Sequence, residues 1–384
     1  MIRIFEVLLA LLIVFVLAVL VGVMLPAHGH VERSVEVSSP VRQVYDSINS
    51  FRRYPQWSSL RNSDPRVQMR LSGPEFGKDA KVSWSSDVKK VGDGSLKIIS
   101  DVQDSTVVMA IDNAWYGTDK TYTVQINPSS NGKTVKIDWA YDADYGWDLI
   151  GRYAGLYIHG DPANAAQTNL NNLAAMLAGF PNVDYKDQKI DVVDVTAKPV
   201  FLVSTKAKRT IDDVAEATAT AMTEIDAAMK KAGLTAAGPR MTITTEWAEE
   251  DYTFSVAVPV SAPTFALNQQ QVTIEAPVPA PIDQSSDDST PPTYTPGQKD
   301  RKGMLVVDGN VRAVLWYGGV ALYTEYTGSP AALPVLRLGQ KAYAETHGYH
   351  YSESGITRPY DELVSAPDAP ADQQIFRVYL PITR

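Results

Sequence analysis

KTVKIDWAYD, residues 133–142, decides the fold of the first half of this chain. Val135, Ile137, Trp139 and Tyr141 fall on one face, while Thr134, Lys136, Asp138 and Ala140 fall on the other. Such alternation describes a half-buried strand. KTYTVQI at 120–126 repeats it with Tyr122, Val124 and Ile126. Downstream, Asp161 and Pro162 read as an N-cap followed by proline at N1. Leu170, Leu173, Ala174 and Leu177 then recur at helical spacing until Gly179 closes the helix. An α+β unit follows, in which an antiparallel sheet packs on one long terminal helix.

Upstream lies a different kind of segment. Val7 to Leu25 is uninterruptedly apolar, and its 19 residues, at about 1.5 Å each, span about 29 Å, the thickness of a bilayer's hydrocarbon core. No polar face interrupts it, which argues against a buried core helix. Arg3 precedes it and Pro26 ends it, so the positive-inside rule places everything after Ala27 on the extracytoplasmic side, the periplasm in a Gram-negative cell. Ala27-His28-Gly29 leaves cleavage as a signal peptide as the alternative, although 19 apolar residues exceed a usual signal core of about 7–15. The expectation is a single-pass inner-membrane anchor over residues 1–30.

The chain has 384 residues, 45% of them hydrophobic and 21% charged, which suits two domains with real cores. A formal net charge of −9 lacks the basic footprint that phosphate neutralisation requires, so no nucleic-acid partner is expected. The absence of cysteine removes disulfides, thiolate catalysis and thiolate-zinc sites. Composition divides the remainder. Residues 31–182 hold five of the seven tryptophans, and a helix-rich texture follows. Residues 261–302, with Pro263, Pro277, Pro279, Pro281, Pro291, Pro292, Pro296 and the SSDDST run at 285–290, read as an extended, solvated insertion. DYTFSVAVPV at 251–260 and QQIFRVYLPI at 373–382 echo one another on either side of it. Two copies of one unit are implied.

The strings VERSVEVSSPVRQVYDSINSFRRYPQWSSL (31–60), GPEFGKDAKVSW (73–84), VGDGSLKI (91–98) and DLIGRYAGLYI (148–158) together resemble the SRPBCC, or START-like, superfamily that includes polyketide cyclase-like proteins. The resemblance covers residues 31–182 and implies a helix-grip fold, with a mostly apolar cavity between curled sheet and long helix. Members carry hydrophobic molecules, and some perform chemistry. Trp84, Tyr122 and Trp139 then become candidate cavity-lining residues; the same aromatics equally close a solid core.

KPVFLVSTKAKRT at 198–210 alternates as a strand. Thr210 then caps a helix with Asp213 at N3, and Val214, Thr218, Ala221, Ile225 and Met229 follow at helical spacing to Gly233. With MTITTEW, DYTFSVAVPV, AVLWYGGVALYTEYTGSP, the helical stretch from Ala331 to Glu345, HGYHYSESG and QQIFRVYLPI, residues 192–384 outside the insertion resemble the GyrI-like effector-binding domain. That resemblance implies two strand-helix-strand-strand repeats with a ligand pocket between them. The family's last strand commonly carries an acidic residue four positions before its proline, where it meets cationic drugs; here Arg377 precedes Pro381 and Ser255 precedes Pro259. If Arg377 faces the pocket it favours an anionic ligand; at the rim it pairs with a neighbouring acid. Tyr323, Tyr343 and Tyr379 are candidate pocket aromatics, with core packing as the alternative.

Other constellations point to no cofactor and no metal. Asp142, Asp144, Gly146 and Asp148 have calcium-loop spacing without the closing glutamate and read as a solvated turn. His28 with His30, and His347 with His350, each offer two ligands, too few for a metal site on their own. His159 adjoins the helix start with no matched nucleophile. No phosphate-cradling glycine loop or nucleophile elbow occurs. The expected function is an exported, membrane-anchored protein that binds a hydrophobic small molecule in the START-like cavity, with a second effector in the GyrI-like pocket. The alternative is a cyclase- or hydrolase-like enzyme acting in the START-like cavity, which requires a titratable residue with a perturbed pKa there.

Overall fold

The computed structural model describes residues 2–279 and 294–383. The chain divides into two compact units, Met1–Asp184 with Glu345–Gly348, and Tyr185–Ala344 with Tyr349–Arg384. Each is a mixed α+β unit around an antiparallel sheet.

The first unit begins with α1 (Ile2–Met24), whose stretch Ile4–Met24 has a mean hydropathy of 3.4 and is long and apolar enough to cross a membrane. After it come β1 (His28–Val37), α2 (Val41–Ile48), the short helices α3 (Tyr54–Trp57) and α4 (Leu60–Ser63), and strands β2 (Gln68–Ser72), β3 (Lys81–Ser85), β4 (Gly94–Val102), β5 (Thr106–Asp112), β6 (Thr118–Pro128) and β7 (Val135–Asp144). Helices α5 (Leu149–Gly155) and α6 (Asp161–Ala178) close the unit. The seven strands run β1-β7-β6-β5-β4-β3-β2. Val135, Ile137, Trp139 and Tyr141 of β7 are buried, as their alternation requires. Helix α6 buries Ala163, Ala166, Leu170, Leu173 and Leu177, one stripe at helical spacing. Its start is one residue earlier than the sequence suggests: Gly160 is the N-cap, and Asp161 sits in the first turn, 3.1 Å from Lys90.

The second unit contains β8 (Asp191–Val195), β9 (Lys198–Lys208), α7 (Ile211–Ala232), β10 (Arg240–Trp247), β11 (Asp251–Pro259), β12 (Thr264–Leu267), β13 (Gln270–Thr273), β14 (Leu305–Asp308), β15 (Val311–Trp316) and β16 (Gly319–Thr327). Helix α8 (Leu333–His347) and strands β17 (His350–Tyr351), β18 (Tyr360–Leu363) and β19 (Ile375–Thr383) complete it. The sheet order is β14-β15-β9-β11-β10-β18-β19-β16-β8. At its centre, β9-β11-β10 and β18-β19-β16 mirror one another, joined by β10 against β18 with Thr242 opposite Asp361. The two echoed strings are β11 and β19, the middle strands of these triplets.

One segment differs from the sequence expectation. The insertion 261–302 contains the hairpin β12–β13, turned at Asn268 and Gln269, whose φ values are 50° and 66°. Phe265 and Ile274 are buried beside it in the core, with Phe265 edge-on to Phe201 at 5.4 Å. The hairpin forms because TFAL and QQVT alternate across a turn that tolerates positive φ. The SSDDST run and Pro281, Pro291 and Pro292 lie outside the described residues. The stretch AVLWYGGVALYTEYT is two strands, separated by Tyr317 and Gly318, and its first half pairs with β9 of the other repeat.

Candidate functional site

In the second unit, period-2 alternation sorts the central sheet into two faces. Phe254, Val256 and Val258 of β11 and Phe201 and Val203 of β9 belong to the same buried cluster as Ala221, Ile225 and Met229 of α7. Phe376 and Val378 of β19 cluster with Leu333 of α8. The opposite face holds Met241, Ile243, Ala257, Trp316 and Tyr360.

A cavity of about 740 Å³ opens on the helix-covered face. Its floor comes from Arg240 and Thr242 of β10, Tyr252 of β11, Asp361 of β18 and Phe376 of β19. The first half of α7 and the start of α8 form walls. Ile211, Val214, Met222, Leu333 and Phe376 make most of that wall apolar. Thr210 caps α7, its hydroxyl accepting from the Asp213 amide at 3.1 Å. Thr218, which disfavours helix by its branching, spends its hydroxyl on the Val214 carbonyl at 2.7 Å and so presents no free donor.

Two of the charges in this cavity, Arg337 and Asp361, are buried. Arg337 of α8 forms an ion pair with Asp361, and both residues are almost completely enclosed. Such a pair contributes little net stability, and removing one partner alone strands the other charge. The Arg337 Nε still lacks an acceptor, as does the Arg240 Nε. Burial pushes the Arg240 pKa down, and no neighbouring carboxylate offsets the effect. Arg209, at the rim, donates from one nitrogen to the carbonyls of Ala248 and Glu249. Sequence reading missed all three arginines as site residues. For Arg240 the signal was there: it opens an alternating strand, RMTITTEW, on the face shared with Thr242.

Tyr323, Tyr343, Arg377 and Tyr379 do not line this cavity. Arg377 follows Phe376, so strand parity turns it to the other face, where it is 41% exposed and its Nε lies 3.5 Å from Glu325. Tyr323 bonds the same carboxylate at 3.0 Å. Tyr379 stacks on Tyr360 at 4.8 Å and lies 5.4 Å from Tyr323. Burial and the nearby Glu362 push the Tyr379 pKa up. Tyr343 packs edge-on to Tyr185 at 5.5 Å. Ser255, the other position singled out before a proline, is buried with its hydroxyl 2.9 Å from that of Ser204.

The first unit has a smaller cavity, about 210 Å³, lined by Trp84, Tyr122, Tyr54, Trp115 and the first half of α6. Trp139 is not among its walls. It is fully buried, edge-on to Trp57 at 5.8 Å and to Tyr122 at 5.3 Å, while Tyr54 meets Trp57 at 4.7 Å. This aromatic cluster fills much of the space between sheet and helix. The Trp84 indole N–H is buried without a protein acceptor. Burial raises the pKa of both Tyr54 and Tyr122, so their hydroxyls stay protonated.

The histidine pairs gain partners that sequence spacing hides. His30 Nδ1 lies 2.7 Å from Asp142 and His28 Nδ1 3.6 Å from Asp144, because β1 and β7 pair in register there. Among the described residues no three His, Asp or Glu side chains cluster as a metal site.

No protein-family model matches this sequence, and neither does any curated protein. Solved structures do match. The EcmrR C-terminal domain aligns with 51% of this chain and 98% of its own length, at 11% identity and a TM-score of 0.34. Norcoclaurine synthase from Thalictrum flavum aligns with 41% of this chain and 90% of its own, at 10% identity and a TM-score of 0.31. The di-domain ARO/CYC StfQ of the steffimycin biosynthetic pathway aligns with 39% and 50%, at 11% identity and a TM-score of 0.31. The neighbours thus include START-like and GyrI-like domains.

Proposed function

We propose that this chain is a membrane-anchored small-molecule binding protein, built as a START-like domain over residues 31–182 followed by a GyrI-like domain over 192–384. The single observation that carries the reading is the 740 Å³ cavity of the second unit. It combines an apolar wall with a few convergent polar groups, the form that small-molecule sites take. Burial of apolar ligand surface supplies the affinity, and the polar floor supplies orientation.

The smaller cavity of the first unit, with Trp84 and Tyr122 in its wall, is a second and more restricted site. Its titratable lining residues are the protonated Tyr54 and Tyr122 together with Lys90 and Asp161, the last two exposed and paired. This set supports binding over acid-base catalysis. The anchoring reading is supported by α1, and Arg3 before the span argues for soluble units on the extracytoplasmic side.

Native mass spectrometry of the full chain in detergent, followed by solvent extraction, tests the reading. A stoichiometric small molecule is expected, with occupancy falling in Ala219→Phe, which projects a ring into the larger cavity from α7. Protein that stays empty when challenged with amphipathic acids, amines and neutral aromatics refutes it.

A further inference from the structure

The lining of the large cavity carries three arginines, Arg209, Arg240 and Arg337, against one aspartate, Asp361. Asp361 is paired with Arg337, and among the described residues no ion pair joins it to Arg240. Arg240 has an unmet Nε donor, and among the described residues no carboxylate lies within ion-pair distance of it. A guanidinium held half out of water with an unmet donor is costly unless something else supplies the acceptor. Among the described residues none bonds that donor.

Two helix starts add to the same field. Thr210 and Ile211 at the N-terminus of α7, and Leu333 and Pro334 at that of α8, all line the cavity. Each helix start presents about half a positive charge. Asp212 and Asp213 in the first turn of α7 oppose this in part, but neither lines the cavity, and Asp213 accepts from the Thr210 hydroxyl at 2.6 Å. The rest of the wall, with Val214, Met222 and Phe376, is apolar and offers nothing to a second charge.

The geometry points to an amphipathic anion as the ligand of this cavity: a carboxylate or comparable oxyanion seated on Arg240, with an apolar body along α7 and α8. This rests on the cavity being a ligand site. The planar guanidinium matches a carboxylate with two parallel hydrogen bonds, which an amide or an amine does not reproduce. A lipophilic cation is disfavoured, since it would bury its charge beside the uncompensated Arg240 guanidinium.

Calorimetric titration of the full chain in non-ionic detergent with three probes of one shape tests the proposal: 2-naphthylacetate, 2-naphthylacetamide and 2-(2-naphthyl)ethylamine. The acid is expected to bind about 10- to 100-fold more tightly than the amide, the scale of a charge-assisted pair in a desolvated site, and the amine more weakly still. Arg240→Gln is expected to lower acid affinity to about that of the amide, and to lower amide affinity by much less, since the amide carbonyl accepts only one hydrogen bond from the guanidinium. Arg240→Lys, which keeps the charge without the fork, is expected to fall between. Equal binding of acid and amide by the unaltered protein, or preference for the amine, overturns the anionic class while leaving the cavity reading intact. Binding of none of the three overturns both. The probe comparison on the unaltered chain decides the matter even if Arg240→Gln fails to fold.

Discussion

One residue of parity separates Phe376, which faces the large cavity, from Arg377, which faces solvent beside Glu325. A strand sends successive side chains to opposite faces, so a position counted back from a proline identifies the strand but not the pocket. Arg240 is found instead by asking which buried cation has no partner, a three-dimensional question. In the first unit the same distinction separates Trp139, a packed core residue, from Trp84, whose ring reaches a cavity. Trp139→Ala should therefore cost about 3–5 kcal/mol of stability, read by urea denaturation followed by circular dichroism; a loss below about 1 kcal/mol would show that the aromatic cluster is not a core. Asp64 supplies a pH test. Its carboxylate accepts from the Ser86 hydroxyl and the Arg66 amide, which hold its pKa below the usual carboxylate range. A folded-state pKa below the unfolded one contributes stability above the unfolded pKa, lost as pH falls through the folded pKa. The melting-temperature gap between the native protein and Asp64→Asn should accordingly be present at pH 6 and narrow toward pH 3; a gap constant with pH would contradict the assignment.

Among the elements, α7 was the most fully legible, because local chemistry alone specifies both ends. Thr210 caps it, Asp213 stands three positions on, and Gly233 closes it at φ 67°. A Cβ at Gly233 would meet nothing within 4 Å, so Gly233→Ala tests backbone conformation without a clash. It should destabilise the protein by about 1 kcal/mol, measured by chemical denaturation, and a neutral result would mean that the helix end relaxes. The sheets were legible in the same way wherever one face is buried, as in β6 and β7. The break at Tyr317-Gly318 was not, because pairing of β15 with β9 is a long-range choice. The β12–β13 hairpin was hidden by the prolines that surround it, although Phe265 and Val272 pair across it as a hairpin requires. The cavity itself was legible only through resemblance. Its floor assembles from β10, β11, β18 and β19, and no spacing within one segment reports that convergence.

For the molecule as a whole, α1 is long and apolar enough to cross a membrane, and the first unit packs a second helix against it. Helix α5 is strapped to the end of α1: the Tyr153 hydroxyl donates to the Ala18 carbonyl at 2.7 Å, and Arg152 donates to the carbonyls of Val23 and Leu25 at 2.7 and 3.2 Å. Gly22 makes the approach possible, since a Cβ there would already meet Tyr153 at 3.2 Å and Leu149 at 3.4 Å. Around this strap Trp147, Ile150, Leu156 and Tyr157 are exposed, Trp147 by 81% and Tyr157 by 77%. Tryptophan and tyrosine with aliphatic neighbours are what a protein places at the headgroup boundary, where one end of the ring is apolar and the other wet. If α1 spans a bilayer, contact with α1 as deep as Ala18 puts these side chains at that boundary. In nanodiscs containing lipids brominated on the acyl chain, tryptophan emission of the native protein should be quenched measurably relative to unbrominated discs. Trp147→Phe should abolish most of the quenched component, because the other tryptophans of the unit, Trp57, Trp84, Trp115 and Trp139, are buried or half-buried away from solvent. Equal emission in both kinds of disc would place the segment in water, and α1 would then have to be read as a leader or a packing helix instead of a span.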